Sequence, residues 1–164
     1  MYKKVELASN LATLIVAGLL GYVLIDHYFV HKTPIPASSS IKAGETIVLT
    51  GVNWQRNERT LVLVLQKGCR FCIESAPFYQ RLVREAEQSG RVHLMAVLPQ
   101  ASNEAAEYLR GIGVSILDVH QAKPGLMRVH GTPTLLLVGS TGLVERVWIG
   151  KLSTEKESQV LHSL

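Results

Sequence analysis

Five aliphatic residues in unbroken succession, Leu61-Val62-Leu63-Val64-Leu65, lead through Gln66-Lys67-Gly68 into Cys69-Arg70-Phe71-Cys72. No other feature constrains this chain as much. A strand without polar alternation offers no face to water, so it belongs in the middle of a sheet covered on both sides. After the cysteines, Cys72, Ser75, Ala76, Tyr79, Leu82, Val83 and Ala86 recur at helical spacing, with Arg81, Arg84, Glu85 and Glu87 outside that stripe. Ser89-Gly90 marks the end of the helix. The cysteine pair therefore falls at a strand-to-helix junction.

That junction suits thiol chemistry. The unpaired backbone N–H groups and the positive dipole end of a helix stabilise a thiolate, and Arg70 brings a cation next to Cys69. The spacing lets Cys72, one turn further in, attack a mixed disulfide formed at Cys69. Cys69 is thus the candidate nucleophile and Cys72 the resolving thiol. Structural roles fit poorly. The chain has only 2 cysteines, whereas a structural zinc site wants four ligands, usually in two such pairs. A bridge across so short a loop also constrains the unfolded chain very little.

The rest of the body alternates strand and helix. Residues 92–98 read as a second buried strand closed by Pro99, and Asn103 as the N-cap of a short helix through Arg110. Residues 114–119 read as a short strand, and 122–129 as a helical turn leading to Gly131-Thr132-Pro133-Thr134. Residues 134–138 and 143–149 form a hairpin around Gly139-Ser140-Thr141-Gly142. Residues 154–164 make a last helix with Ser153 as its cap. The expected class is α/β, a mixed central sheet flanked by helices. Pro133, directly before an aliphatic strand, is tolerable only at the strand's entry point because it has no N–H for the ladder.

Ahead of the body, Leu7 to Ile25 runs without a charge. At about 1.5 Å per residue the run matches the roughly 30 Å hydrocarbon core of a bilayer. No A-x-A cleavage site follows, which favours an uncleaved anchor over a signal peptide. Lys3 and Lys4 against Lys32 place the N-terminus in the cytoplasm and the body outside. The expected organisation is an N-terminal membrane anchor over 1–32 (helix about 7–25), a Pro/Ser linker over 33–40 and a folded domain over 41–164. From Ile41 onward, 14 Lys/Arg face 11 Asp/Glu in scattered positions. A nucleic-acid partner would want a clustered basic face, so none is expected.

Taken together, these residues resemble the thioredoxin superfamily, and within it the membrane-tethered TlpA/ResA-type thiol–disulfide oxidoreductases of bacteria, a redoxin-like domain. The resemblance covers about residues 41–160 and rests on the strand–C-x-x-C–helix junction, Pro77, Gly131-Thr132-Pro133-Thr134 and the hairpin with Gly142 and Gly150. It implies a thioredoxin fold in which Cys69 and Cys72 exchange disulfides, while Thr132 and Pro133, joined by a cis peptide, shape the substrate groove. Arg70, Phe71 and Glu74 would modulate the pair. It implies no cofactor and no metal. The partners would be substrate and electron-donor proteins carrying cysteine thiols or disulfides, met from a single-pass position in the bacterial inner membrane with the domain facing periplasm or cell exterior.

Several positions depart from the family pattern. Gly68 stands where Trp is usual, Arg70-Phe71 where proline is common, Leu63 where thioredoxins bury an acid, and Ser75 where the tethered subfamily often has Glu. Two other readings stay open: a copper or metal carrier on the same fold, with His120 and His130 as the loop histidines to consider, and a non-catalytic interaction module that retains the fold.

Overall fold

The computed structural model describes residues 16–20, 22 and 40–164. The chain divides into two compact units, Met1–Ser38 and Ser39–Leu164. In the first, residues 16–20 and 22 are helical, with Val16, Leu19, Leu20 and Tyr22 exposed. The rest of the expected anchor helix over 7–25, and the expected linker up to residue 39, lie outside the described residues. Among the described residues no helix is long and apolar enough to cross a membrane.

The second unit is built on one sheet of β1 (Arg59–Val64), β2 (His93–Leu98), β3 (Asp118–Gln121), β4 (Thr134–Gly139) and β5 (Val144–Ile149), in the order β3-β2-β1-β4-β5. Its helices are α1 (Arg70–Glu74), α2 (Ala76–Ser89), α3 (Ser102–Gly111) and α4 (Thr154–Leu161). The aliphatic run is the central strand: β1 pairs parallel with β2 and antiparallel with β4, so Leu63 lies between Ala96 and Leu135. β3 extends the parallel side, and β5 the antiparallel side.

Alternation along the strands sorts the apolar residues into two layers. One joins Leu61, Leu63, Leu65, Ala96, Leu98, Leu135 and Leu137 to Phe78, Tyr79 and Leu82 of α2, Leu109 of α3 and Val160 of α4. The other joins Val62, Val64, Met95, Val97, Leu136 and Val138 to Ile41, Ile47, Leu49, Met127 and Val129. The α-helices feed only the first layer. The second is closed by the extended segment after Ser40 and by the turn of 3-10 helix at Pro124–Met127.

Three local expectations change. The helix after the cysteines is two helices, because Pro77 cannot supply the N–H that a continuous helix would place on the Ile73 carbonyl. Ser75 ends α1 and opens α2. The next helix starts one residue before Asn103, with Ala101 at the N-cap and no side-chain cap bond. The third strand forms at Asp118–Gln121 instead of 114–119. Val114 and Ile116 go into the core of the connection, Leu117 is fully exposed, and pairing with β2 begins only at Met95↔Asp118.

A carboxylate holds that late-starting strand. Asp118 Oδ2 lies 2.7 Å from His93 Nε2 on β2, and Oδ1 lies 2.8 Å from His120 Nε2. Asp118→Ala removes both bonds from a four-residue edge strand. It is expected to cost about 1–2 kcal/mol in denaturant unfolding and to speed amide exchange in β3 more than in β1.

Candidate active site

β1 delivers the chain to the site, and Gly68 turns it. Gly68 has φ +80°, a left-handed conformation that side chains rarely adopt, so glycine suits the place. Cys69 follows as the N-cap of α1. Its Sγ accepts from the Cys72 N–H at 3.2 Å, and its carbonyl accepts from Cys72 N and Ile73 N. Cys69 and Cys72 are joined by a disulfide with Cα atoms 5.2 Å apart. Cys69 is half-buried, whereas Cys72 is wholly buried in the helix-covered layer.

The loop before β4 comes to the same place. The Thr132–Pro133 peptide is cis, and the Thr132 carbonyl oxygen lies 3.3 Å from Cys69 Sγ. Thr134 Oγ1 donates to the Gly131 carbonyl at 2.8 Å, closing the loop on itself. On its other side the Pro133 carbonyl accepts from the Gly150 N–H at 2.7 Å, which brings in the turn after β5. The fold therefore brings Thr132 and Pro133 to the cysteine pair, across a separation of 63 residues between Cys69 and Thr132.

The three residues expected to modulate the pair sit on α1. Phe71 is about half exposed between the cysteines, and Ile73 beside it is similarly open. Arg70 turns to Glu74, with Nε 2.7 Å from Oε1. Glu74 also holds Lys151, with Nζ 2.8 Å from Oε2. Hydrogen bonds from Lys151 and then Arg70 keep the Glu74 carboxyl below its ordinary range. Lys67, in the connection between β1 and Cys69, is paired with Glu104 at 2.7 Å, and that bond raises its ammonium pKa.

Behind Cys72 the surroundings are apolar. Leu63 is fully buried in the same layer, and Ser75 is buried as well. Tyr79 is wholly buried, and burial pushes its phenol well above the ordinary range. Among the described residues no group of three His, Cys, Asp or Glu is placed to hold a metal ion; His120 is engaged by Asp118 on β3.

No family model and no curated protein matches the sequence. Solved structures do. A thiol:disulfide interchange protein of the thioredoxin family from Chlorobium tepidum is 15% identical, with a TM-score of 0.54 over 77% of this chain and 98% of that one. StoA from Bacillus subtilis is 17% identical, with a TM-score of 0.52 over 74% and 98%. A thiol-disulfide isomerase from Corynebacterium glutamicum is 18% identical, with a TM-score of 0.52 over 77% and 94%. The chain has the thioredoxin fold.

Within this thioredoxin fold the sequence pointed to two elements that lie together, the cysteine pair and the Thr132-Pro133 loop. It did not point to Gly150 and Lys151. Lys151 is an ordinary surface lysine in sequence, 77 residues from the carboxylate it meets, and no local pattern announces such a pairing.

Proposed function

We propose that this protein is a membrane-tethered thiol–disulfide oxidoreductase that exchanges disulfides with partner proteins through Cys69 and Cys72. The observation that carries the reading is the pair itself: a disulfide at the end of the central strand, its first sulfur half-buried beside the Thr132 carbonyl and its second wholly buried. In the dithiol form, Cys69 as thiolate attacks one sulfur of a partner disulfide. The S–S bond breaks, the partner's other sulfur leaves as a thiolate and takes up a proton, and a mixed disulfide remains. Cys72 then loses its proton and attacks Cys69 Sγ, releasing the second partner thiol. Two electrons pass to the partner, and Cys69–Cys72 is left oxidised. Run backwards, the same steps oxidise a dithiol partner.

The Cys72 N–H on Cys69 Sγ supports the division of labour, because a hydrogen bond to the charged form favours the thiolate. The Thr132 carbonyl and the loop around it would receive the partner's extended backbone. Phe71 offers exposed apolar surface beside the reacting sulfur.

The test is direct. The reduced protein, freed of reductant, should convert a peptide disulfide to its thiols and lose two titratable thiols per turnover. A protein that keeps both thiols through that incubation would support the non-catalytic interaction module instead.

Tethering rests on the uncharged stretch from Leu7 to Ile25 and on Lys3 and Lys4 before it, which support a bacterial inner-membrane position with the domain outside the cytoplasm. Carbonate-washed membranes are expected to retain the full-length chain in the pellet. Recovery of a shortened, soluble chain beginning after residue 25 would count against the anchor and leave the exchange chemistry in place.

A further inference from the structure

We propose that the cavity where β1, β2 and β3 begin, on the face of the sheet that the α-helices do not cover, binds a small organic phosphate monoester. It lies apart from the cysteine pair: Thr60, in its wall, stands at the start of β1, whereas Cys69 follows that strand's far end.

The cavity holds about 360 Å³, within the usual range of small-molecule sites. Register and alternation build it. Thr60 shares a face with Val62 and His93 with Met95, and Met95 is paired with Asp118. Thr60, His93, Asp118 and His120 therefore gather on the second-layer side of three neighbouring strands. The chain before β1 supplies the other wall, with Val52, Asn53, Arg56 and Asn57.

Hydrogen-bonding capacity selects the ligand. An ionised carboxylate only accepts, and the two oxygens of Asp118 meet His93 Nε2 at 2.7 Å and His120 Nε2 at 2.8 Å. The acid in the cavity is thus already answered by two ring N–H groups. Asn53 Oδ1 accepts from the Gln55 N–H at 3.1 Å, which leaves its amide NH2 to donate. Thr60 is only 2% exposed, yet its hydroxyl has no partner among the described residues, and neither has the Arg56 guanidinium. A hydroxyl taken from water and left unpaired is costly, and a ligand oxygen would satisfy it. Arg56, Asn53, Asn57 and Thr60 thus bring donors and a positive charge to one space. The three terminal oxygens and strong negative charge of a phosphate monoester suit that set better than the two oxygens of a carboxylate. Val52 and Met95 give the same cavity an apolar side, where the carbon of an ester would pack and a bare phosphate would leave a gap.

The experiment is calorimetric titration of the full-length protein in its disulfide form, with glycerol 3-phosphate, inorganic phosphate and succinate as separate probes. Glycerol 3-phosphate is expected to bind at one site per chain, more tightly than either of the others. Arg56→Gln and Thr60→Val should each weaken it by about tenfold, the order expected when a hydrogen bond to a charged group is lost. Arg56 is exposed, so its replacement leaves the core intact, and Thr60→Val nearly keeps the shape of the buried side chain while removing the hydroxyl.

No saturable binding of glycerol 3-phosphate at millimolar concentration overturns the proposal. Binding that both variants retain in full also overturns it, since the site would then lie elsewhere. Succinate bound as tightly as glycerol 3-phosphate removes the phosphate as the recognised group, and inorganic phosphate bound as tightly removes the organic part.

Discussion

Cys69→Ala is expected to abolish exchange with every disulfide partner, while Cys72→Ala halts the reaction midway with the partner covalently attached. The asymmetry comes from access. Cys69 is half-buried at the surface of the site, and Cys72 lies under it with no exposed area. A partner sulfur can therefore reach Cys69 and not Cys72. With Cys72 present, the mixed disulfide is short-lived, because the two Cα atoms are 5.2 Å apart and the second thiol attacks from within one turn. With Cys72 gone, that intramolecular attack is lost and the adduct must wait for a thiol from solution. Non-reducing electrophoresis of Cys72→Ala after incubation with a peptide disulfide should show a shifted band that dithiothreitol removes; Cys69→Ala should show none. Adducts on Cys69→Ala in comparable yield would reverse the assigned roles, and absence from both variants would remove the exchange mechanism.

Leu63→Asp should be the most destabilising single change near the site, and its cost should grow with pH. Leu63 has no exposed area and lies between Ala96 and Leu135 in the layer that also holds Cys72. The buried residues of that layer are mostly leucine, valine, alanine and aromatic side chains. Replacing the isobutyl group loses buried apolar area and leaves a gap, about 2–3 kcal/mol. Burial also raises the carboxyl's pKa in the folded state above its unfolded value near 3.9. A raised folded pKa means that the native state binds more protons, so stability falls as pH climbs from the unfolded value through the folded one. The ionisation penalty vanishes below about pH 3.9 and is full once pH exceeds the raised value. A shift of about 3 units adds about 4 kcal/mol by neutral pH. Urea unfolding of wild type and variant at pH 5 and pH 8 checks this. A difference independent of pH would mean that the carboxylate finds water or a cation at this depth.

Much of the architecture was legible because the chain's strongest patterns are local. A short unbroken aliphatic run of β-branched and leucine residues is expected of a central strand, and β1 is one, paired on both sides. Period 3.6 along α2 and the glycine-rich turn between β4 and β5 are likewise properties of short stretches. Where local signals compete, the structure departs from the local pattern. Pro77 permits a helix to start as readily as it forbids one to continue, and only the packing of Ser75 and Ala76 into the core shows that α1 ends there. The run from Val114 to Val119 has strand-like composition, yet its first half is spent filling the core, and the ladder waits for Asp118, whose carboxylate joins His93 to His120.

By itself, then, the sequence determined where the cysteine pair falls and the kind of junction that presents it, because a C-x-x-C between a buried strand and an amphipathic helix is a short-range statement. It also set the expectation of a cis bond at Thr132-Pro133. Only the tertiary structure decided what surrounds those groups. That the Thr132 carbonyl lies against Cys69, that Gly150 holds Pro133 from the other side, and that Lys151 reaches Glu74 all depend on β4 being laid antiparallel beside β1 and β5 antiparallel beside β4. Pairings between residues so far apart along the chain leave no periodic trace, since each is satisfied by one side chain or one backbone group placed by the whole sheet.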